Sequence, residues 1–240
     1  MRRTGNIVIR DECKMSDIID DNPVMILLLD HFGLDPVVHD KSVARLCDEK
    51  LISRKVFILF ANLYNGYYPT GNETFTADEI STILLFLRQS HRYYKQEKYP
   101  EIRNLITQLY DLNTAPEIHM VGKFFDEYFD EVTDHLTYED TVVYPYFSGI
   151  QNAGESKESS TSSVFSANEY RNHHTDIESK LADLKNLLLK YIPISNDHLV
   201  RRKLLTSLYE LEFDLKIHSL IEETVLIPLI DKLEKDSFRG

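Results

Sequence analysis

Histidine and glutamate recur in this chain at a spacing suited to metal binding. His135 and Glu139 stand in the stretch His135-Leu136-Thr137-Tyr138-Glu139-Asp140-Thr141-Val142-Val143-Tyr144-Pro145. The same frame returns as His218-Ser219-Leu220-Ile221-Glu222-Glu223-Thr224-Val225-Leu226-Ile227-Pro228, matching at His, Glu, Thr, Val and Pro. Residues four apart on a helix differ by ~40° in azimuth, so each pair would project an imidazole and a carboxylate from one face, about one turn apart. Each pair is half a metal site.

Both pairs also fall on apolar rows. Steps of three and four give Val121, Phe125, Tyr128, Val132, His135, Glu139, Val142 and Tyr146 in one helix. They give Leu204, Leu208, Leu211, Leu215, His218, Glu222, Val225 and Leu229 in another. A carboxylate in an apolar seam is costly unless a cation compensates it, and two such placements in matching frames point to a shared metal. Other helices are expected to complete the set. The row Ile80, Leu84, Leu87 leads to His91; the row Ala167, Tyr170, His174, Ile177, Leu181, Leu184, Leu188 carries His174, whereas His173 shares its row with Ser166 and Lys180. The expected ligands are therefore His91, His135, Glu139, His174, His218 and Glu222. His31, His39, His119 and His198 are expected to be structural or surface residues.

Imidazoles and carboxylates without a thiolate disfavour a closed structural zinc site and suit iron or manganese, iron foremost. With Glu139 and Glu222 bridging, each of two metals receives two imidazoles, leaving room for an oxide or hydroxide bridge and an exchangeable position open to dioxygen, nitric oxide or peroxide. Tyr94, Tyr128 and Tyr146 lie on or near the seams, either as packing or as hydrogen-bond partners that tune a metal. Tyr138 and Tyr144 fall off the seam and receive no role. Thr141 and Thr224 are expected to bond back to helix carbonyls.

These residues require long helices to hold them, and the chain supplies four. One opens with the capping signal Thr76-Ala77-Asp78-Glu79 and is bent or ended by Pro100, with Leu105 to Leu112 prolonging it. The second spans about Pro116 to Phe147, the third about Asn168 to Tyr191 before Pro193, and the fourth follows Ser195-Asn196-Asp197 to about Leu233. The expected fold is all-α: a tail over 1–14, a small helical domain over 15–69, a linker over 70–75, and a four-helix bundle over 76–236 with a Ser-rich crossover loop at 148–165. In the small domain, helices are expected from Pro23, over Ser42 to Glu49, and over Ser53 to Tyr64.

Asp plus Glu outnumber Lys plus Arg by 39 to 27, giving a net charge of −12, which argues against nucleic acid or anionic lipid as a partner. The short N-terminal helices carry few basic residues (Arg45, Arg54, Lys55), so a DNA-reading role is disfavoured. Cys13 and Cys47 form neither a disulfide framework nor a zinc motif. No apolar signal core and no run of ~20 apolar residues is present, so a soluble, cytoplasmic protein without a membrane anchor is expected.

At His135/Glu139/Pro145 and His218/Glu222/Pro228 the chain resembles the hemerythrin-like (HHE) family of di-iron proteins. More narrowly it is similar to the proteins for repair of iron centres, in which a small helical domain precedes the bundle. The resemblance, over about 15–235, implies four histidines and two bridging glutamates at His91, His135, Glu139, His174, His218 and Glu222, holding two non-haem iron ions. It implies repair of damaged iron-sulfur proteins or defence against nitrosative and oxidative stress, by iron donation or nitric oxide reduction. The alternative is a sensor or binding protein for dioxygen or nitric oxide. Family N-terminal domains carry adjacent cysteines where this chain has Val37-Val38-His39.

Overall fold

A computed structural model describes residues 7–68, 74–113, 115–146 and 175–229, with side chains from 180 onward in the last segment. Their regular structure is helical. Among them the one β interaction is an isolated bridge between Lys14 and Ser42, and no helix is long and apolar enough to cross a membrane. The chain packs as two compact units, Met1–Ser90 with Leu220–Gly240, and His91–Ser219.

The first unit begins with α1 (Met15–Asp21), α2 (Met25–His31), α3 (Val43–Lys50) and α4 (Arg54–Tyr64). Their ends follow local chemistry. Ser42 and Ser53 accept from the backbone N–H of Arg45 and Val56 at the starts of α3 and α4. Gly33, at φ 67°, stops α2 while Leu34 N–H bonds Leu29 O. Pro23 sits in the turn before α2 and does not begin it. Residues 7–14 are pinned by two asparagines: Asn62 exchanges two hydrogen bonds with the backbone of Ile9, and Asn65 donates to Ile7 O. The unit's core includes Met15, Met25, Leu28, Val56, Phe57 and Phe60. It also takes in Phe86 of α5 (Ala77–Tyr93), whose ring lies 4.8 Å from those of Phe32 and Phe60. The capping box that opens α5 is formed: Thr76 N–H donates to Glu79 Oε2 at 2.8 Å and Glu79 N–H to Thr76 Oγ1 at 3.3 Å.

The second unit contains the end of α5, then α6 (Tyr99–Leu112), α7 (Ile118–Tyr138), α8 (Thr175–Asn186) and most of α9 (His198–Ile221). α7 packs against both α6 and α8. Gly122 allows the α6–α7 approach, since a Cβ there would stand 1.6 Å from the Tyr110 hydroxyl. Asp197 and Arg201 anchor the start of α9: the buried guanidinium bonds Asp197 and the carbonyls of Leu188, Ile192 and Pro193.

π-helical turns occur at Tyr94–Lys98, Glu139–Val143, Leu187–Tyr191 and Glu222–Leu226. Each is closed by an i→i−5 bond from the residue immediately before a proline: Tyr99 before Pro100, Tyr144 before Pro145, Ile192 before Pro193 and Ile227 before Pro228. Proline lacks an N–H and its ring presses on the carbonyl four residues back; opening the preceding turn by one residue relieves that clash, and the helix continues through Pro100, Pro145 and Pro228 but ends before Pro193. Pro100 therefore lies within one continuous helical run from α5 through α6 instead of ending it.

Candidate metal centre

The α9 row inferred from periodicity is buried throughout, Val225 and Leu229 beyond Glu222 included, whereas the α7 row is buried up to Glu139 apart from half-buried His135. In α7, Val121, Phe125, Tyr128 and Val132 face inward; in α9, Leu204, Leu208, Leu211 and Leu215 do so. These rows deliver His135 and Glu139 from α7 and its π turn, and His218 and Glu222 from α9 and its π turn. His91 comes from the last turns of α5, behind buried Ile80, Leu84 and Leu87. Each glutamate is the first residue of its π turn.

His91, Glu139 and His218 lie in the second unit, and Glu222 follows His218 by one turn in an uninterrupted helix. All four are buried, with both glutamates at 0% exposure, and each offers a ligand atom within 4.8 Å of the others. His91 Nε2 stands 3.3 Å from His218 Nε2 and 3.3 Å from Glu139 Oε2. On the opposite carboxylate oxygen, His135 Nε2 lies 2.9 Å from Glu139 Oε1. Glu139 thus separates His135 from the His91/His218 pair. His174 lies outside the described residues, as do His173 and the Ser-rich stretch 148–165. The other histidines lie elsewhere: His31 is buried edge-on to Phe86, His119 leans on Tyr110, and His39 and His198 are exposed.

Asp140, which periodicity did not single out, organises His91. His91 Nδ1 lies 2.9 Å from Asp140 Oδ1, and Lys95 donates to the other carboxylate oxygen at 3.1 Å. With Nδ1–H donated to this carboxylate, the Nε2 lone pair of a neutral imidazole faces Glu139 and His218, the orientation a metal ligand needs. The available signal was an acidic residue after each repeated glutamate, Asp140 and Glu223.

Tyr144 corrects the expected seam. Beyond Glu139 the α period places Val142 and Tyr146 inward, but Val143 and Tyr144 are fully buried while Val142 and Tyr146 are half-buried. The π turn adds a residue and rotates the helix beyond it by about one position. The Tyr144 hydroxyl is 3.2 Å from His91 Nε2, and the two rings stack at 5.4 Å. Tyr94 has a polar partner too, donating to buried Asp214 at 2.7 Å, with its ring edge-on to His218. Tyr128 is buried beside Phe125. Thr141 and Thr224 bond back to the carbonyls of Thr137 and Leu220 at 2.7 and 2.6 Å, as their repetition suggested.

The electrostatics favour a cation here. Burial by itself drives the His91 imidazole pKa down, but hydrogen bonds and charge from Asp140 and Glu139 outweigh it and hold the group at about 9. Burial pushes Glu139 up, and the bonds from His135 and His91 more than reverse this, leaving it well below the usual carboxylate range. His91 Nε2 lies 3.3 Å from both His218 Nε2 and Glu139 Oε2, which are 4.0 Å from each other; positive charge, as a proton or a metal ion, suits the space among them, and the donor types fit a transition metal. The His91/Glu139/His218/Glu222 group can hold a metal ion.

Comparison with models of known families, with curated proteins and with solved structures finds no match.

Proposed function

We propose that this chain is a hemerythrin-like, non-haem di-iron protein that repairs iron-sulfur clusters or counters nitrosative and oxidative stress. The observation that carries the reading is Glu139, whose two oxygens meet different histidines: Oε2 meets His91 at 3.3 Å and Oε1 meets His135 at 2.9 Å. A carboxylate placed in this way can bridge two metals. His91, His218 and Glu139 Oε2 would hold one iron, and His135 with Glu139 Oε1 the other; Glu222 would be a further ligand able to bridge, and His174 remains the expected partner of His135.

When bound, an iron pair supplies one-electron chemistry, a position for dioxygen or nitric oxide, and iron transferable to a damaged cluster. The chain's own residues orient and exclude. Asp140 holds His91 in the metal-binding tautomer, Lys95 holds Asp140, and Tyr94, fixed by Asp214, packs edge-on to His218.

Metal analysis of protein purified without chelators tests the centre, with two irons per chain expected and both lost in His135→Ala and Glu222→Ala. Incubation with a damaged iron-sulfur enzyme, alongside a nitric oxide consumption assay, tests the function. Recovery no better than with free iron, together with no nitric oxide turnover, overturns it. Reversible, spectroscopically clean uptake of dioxygen or nitric oxide without turnover identifies a binding protein or sensor instead.

A further inference from the structure

We propose that Tyr144 is a further metal ligand, binding through its phenolate oxygen beside His91, His218 and Glu139; this rests on the metal reading above. Two donors on one metal with bonds of about 2.1 Å stand about 3.0 Å apart when adjacent on an octahedron and about 3.4 Å apart on a tetrahedron. Measured from His91 Nε2, His218 Nε2 lies at 3.3 Å, Glu139 Oε2 at 3.3 Å and the Tyr144 oxygen at 3.2 Å. The phenol therefore meets the same spacing as the imidazole and the carboxylate.

Its position is built by the fold. Tyr144 is fully buried, and its ring lies 25° from parallel with His91, so the phenol oxygen runs alongside Nε2 while Asp140 takes Nδ1. The turn closed by Tyr144 N–H on Glu139 O brings it there. In the second copy of the frame the same place is filled by buried Ile227, which has no donor. The extra oxygen thus belongs to one copy alone and makes the centre unsymmetric. A phenolate is a hard anionic ligand, better matched to ferric than to ferrous iron. On binding, the Tyr144 O–H bond breaks, an oxygen–iron bond forms and the proton passes to buffer; no electron moves.

The test is visible absorption and resonance Raman spectroscopy of the full chain loaded with ferric iron. The expected result is a phenolate-to-iron charge-transfer band with enhanced ring modes, abolished in Tyr144→Phe at unchanged iron content. Tyr191→Phe, at an exposed tyrosine outside the centre, keeps the band. Should Tyr144→Phe fail to fold or hold iron, ring-deuterated tyrosine in the unaltered chain is combined with Tyr94→Phe, Tyr128→Phe and Tyr146→Phe: shifted Raman modes with a band that survives in all three support Tyr144, and unshifted modes or a band lost in one of the three overturn it. Iron bound without the band, or a band that survives Tyr144→Phe, overturns the Tyr144 assignment while leaving the metal centre intact. A chain that retains no iron overturns the metal reading itself.

Discussion

Removing Asp140 tests whether the acid beside the repeated glutamate governs metal binding. Asp140 receives His91 Nδ1 at 2.9 Å and is itself held by Lys95 at 3.1 Å. Loss of such a carboxylate partner typically lowers metal affinity 10–100-fold, or about 1.4–2.8 kcal/mol. The structure grades the series. Asp140→Asn keeps an amide oxygen that can still accept from Nδ1–H and loses only the charge, which solvent already screens because the side chain is 30% exposed; a loss of about tenfold is expected. Asp140→Ala frees the ring to turn and exchange tautomers, so its loss approaches about a hundredfold. Lys95→Met removes only an ion pair with both partners more than a quarter exposed, worth at most about 1 kcal/mol, so its effect stays within about fivefold. Competition titration against a chromophoric chelator at fixed pH reads all three, with thermal melts of the metal-free proteins as a folding control. Equal affinities for the unaltered protein and Asp140→Ala would refute the assignment.

Other parts of the chain give independent tests. Arg201→Leu leaves Asp197 buried without its cation and removes the guanidinium bonds to the carbonyls of Leu188 and Ile192, while Pro193 O keeps Asn113, so a loss of about 3–5 kcal/mol is expected in denaturant melts. Burial raises the Asp197 pKa, but bonds from Asn113, Arg201 and Ser195 N–H lower it further, leaving it below its unfolded value of about 3.9. Its contribution to stability is then complete above about pH 4 and falls away as pH drops through the folded value. The unaltered protein should lose this increment on acidification and Arg201→Leu should lose less, which acid melts of the pair measure. Burial, with the charge of Asp48, pushes the Cys47 thiol up to about 12, while Cys13 is partly exposed. Thiol titration at pH 8 should therefore find one reactive cysteine in the native protein and two in denaturant.

What the sequence makes legible is what a single helix can encode. Row membership up to the glutamates, the Thr76 cap and the paired His–Glu spacing are local patterns, and the structure repeats them. The Asp140–His91 pairing joins residues 49 apart along the chain, so no period within either helix reveals it. Pro100 and the turn before Pro145 mislead for a different reason. Pro100 reads as a bend or an end, yet the helix continues through it by one wider turn, and the like turn before Pro145 moves the register of α7 beyond Glu139. Extending the α period past Glu139 therefore brings Val142 and Tyr146 inward and leaves Tyr144 outside, the reverse of what the buried side chains show. Pro145 and Pro228 repeat with the His–Glu pairs because the same frame that presents the pair also resets the helix behind it. The residue closing the reset turn is then free to differ, as Tyr144 and Ile227 do, and only the first copy places a phenol oxygen beside His91.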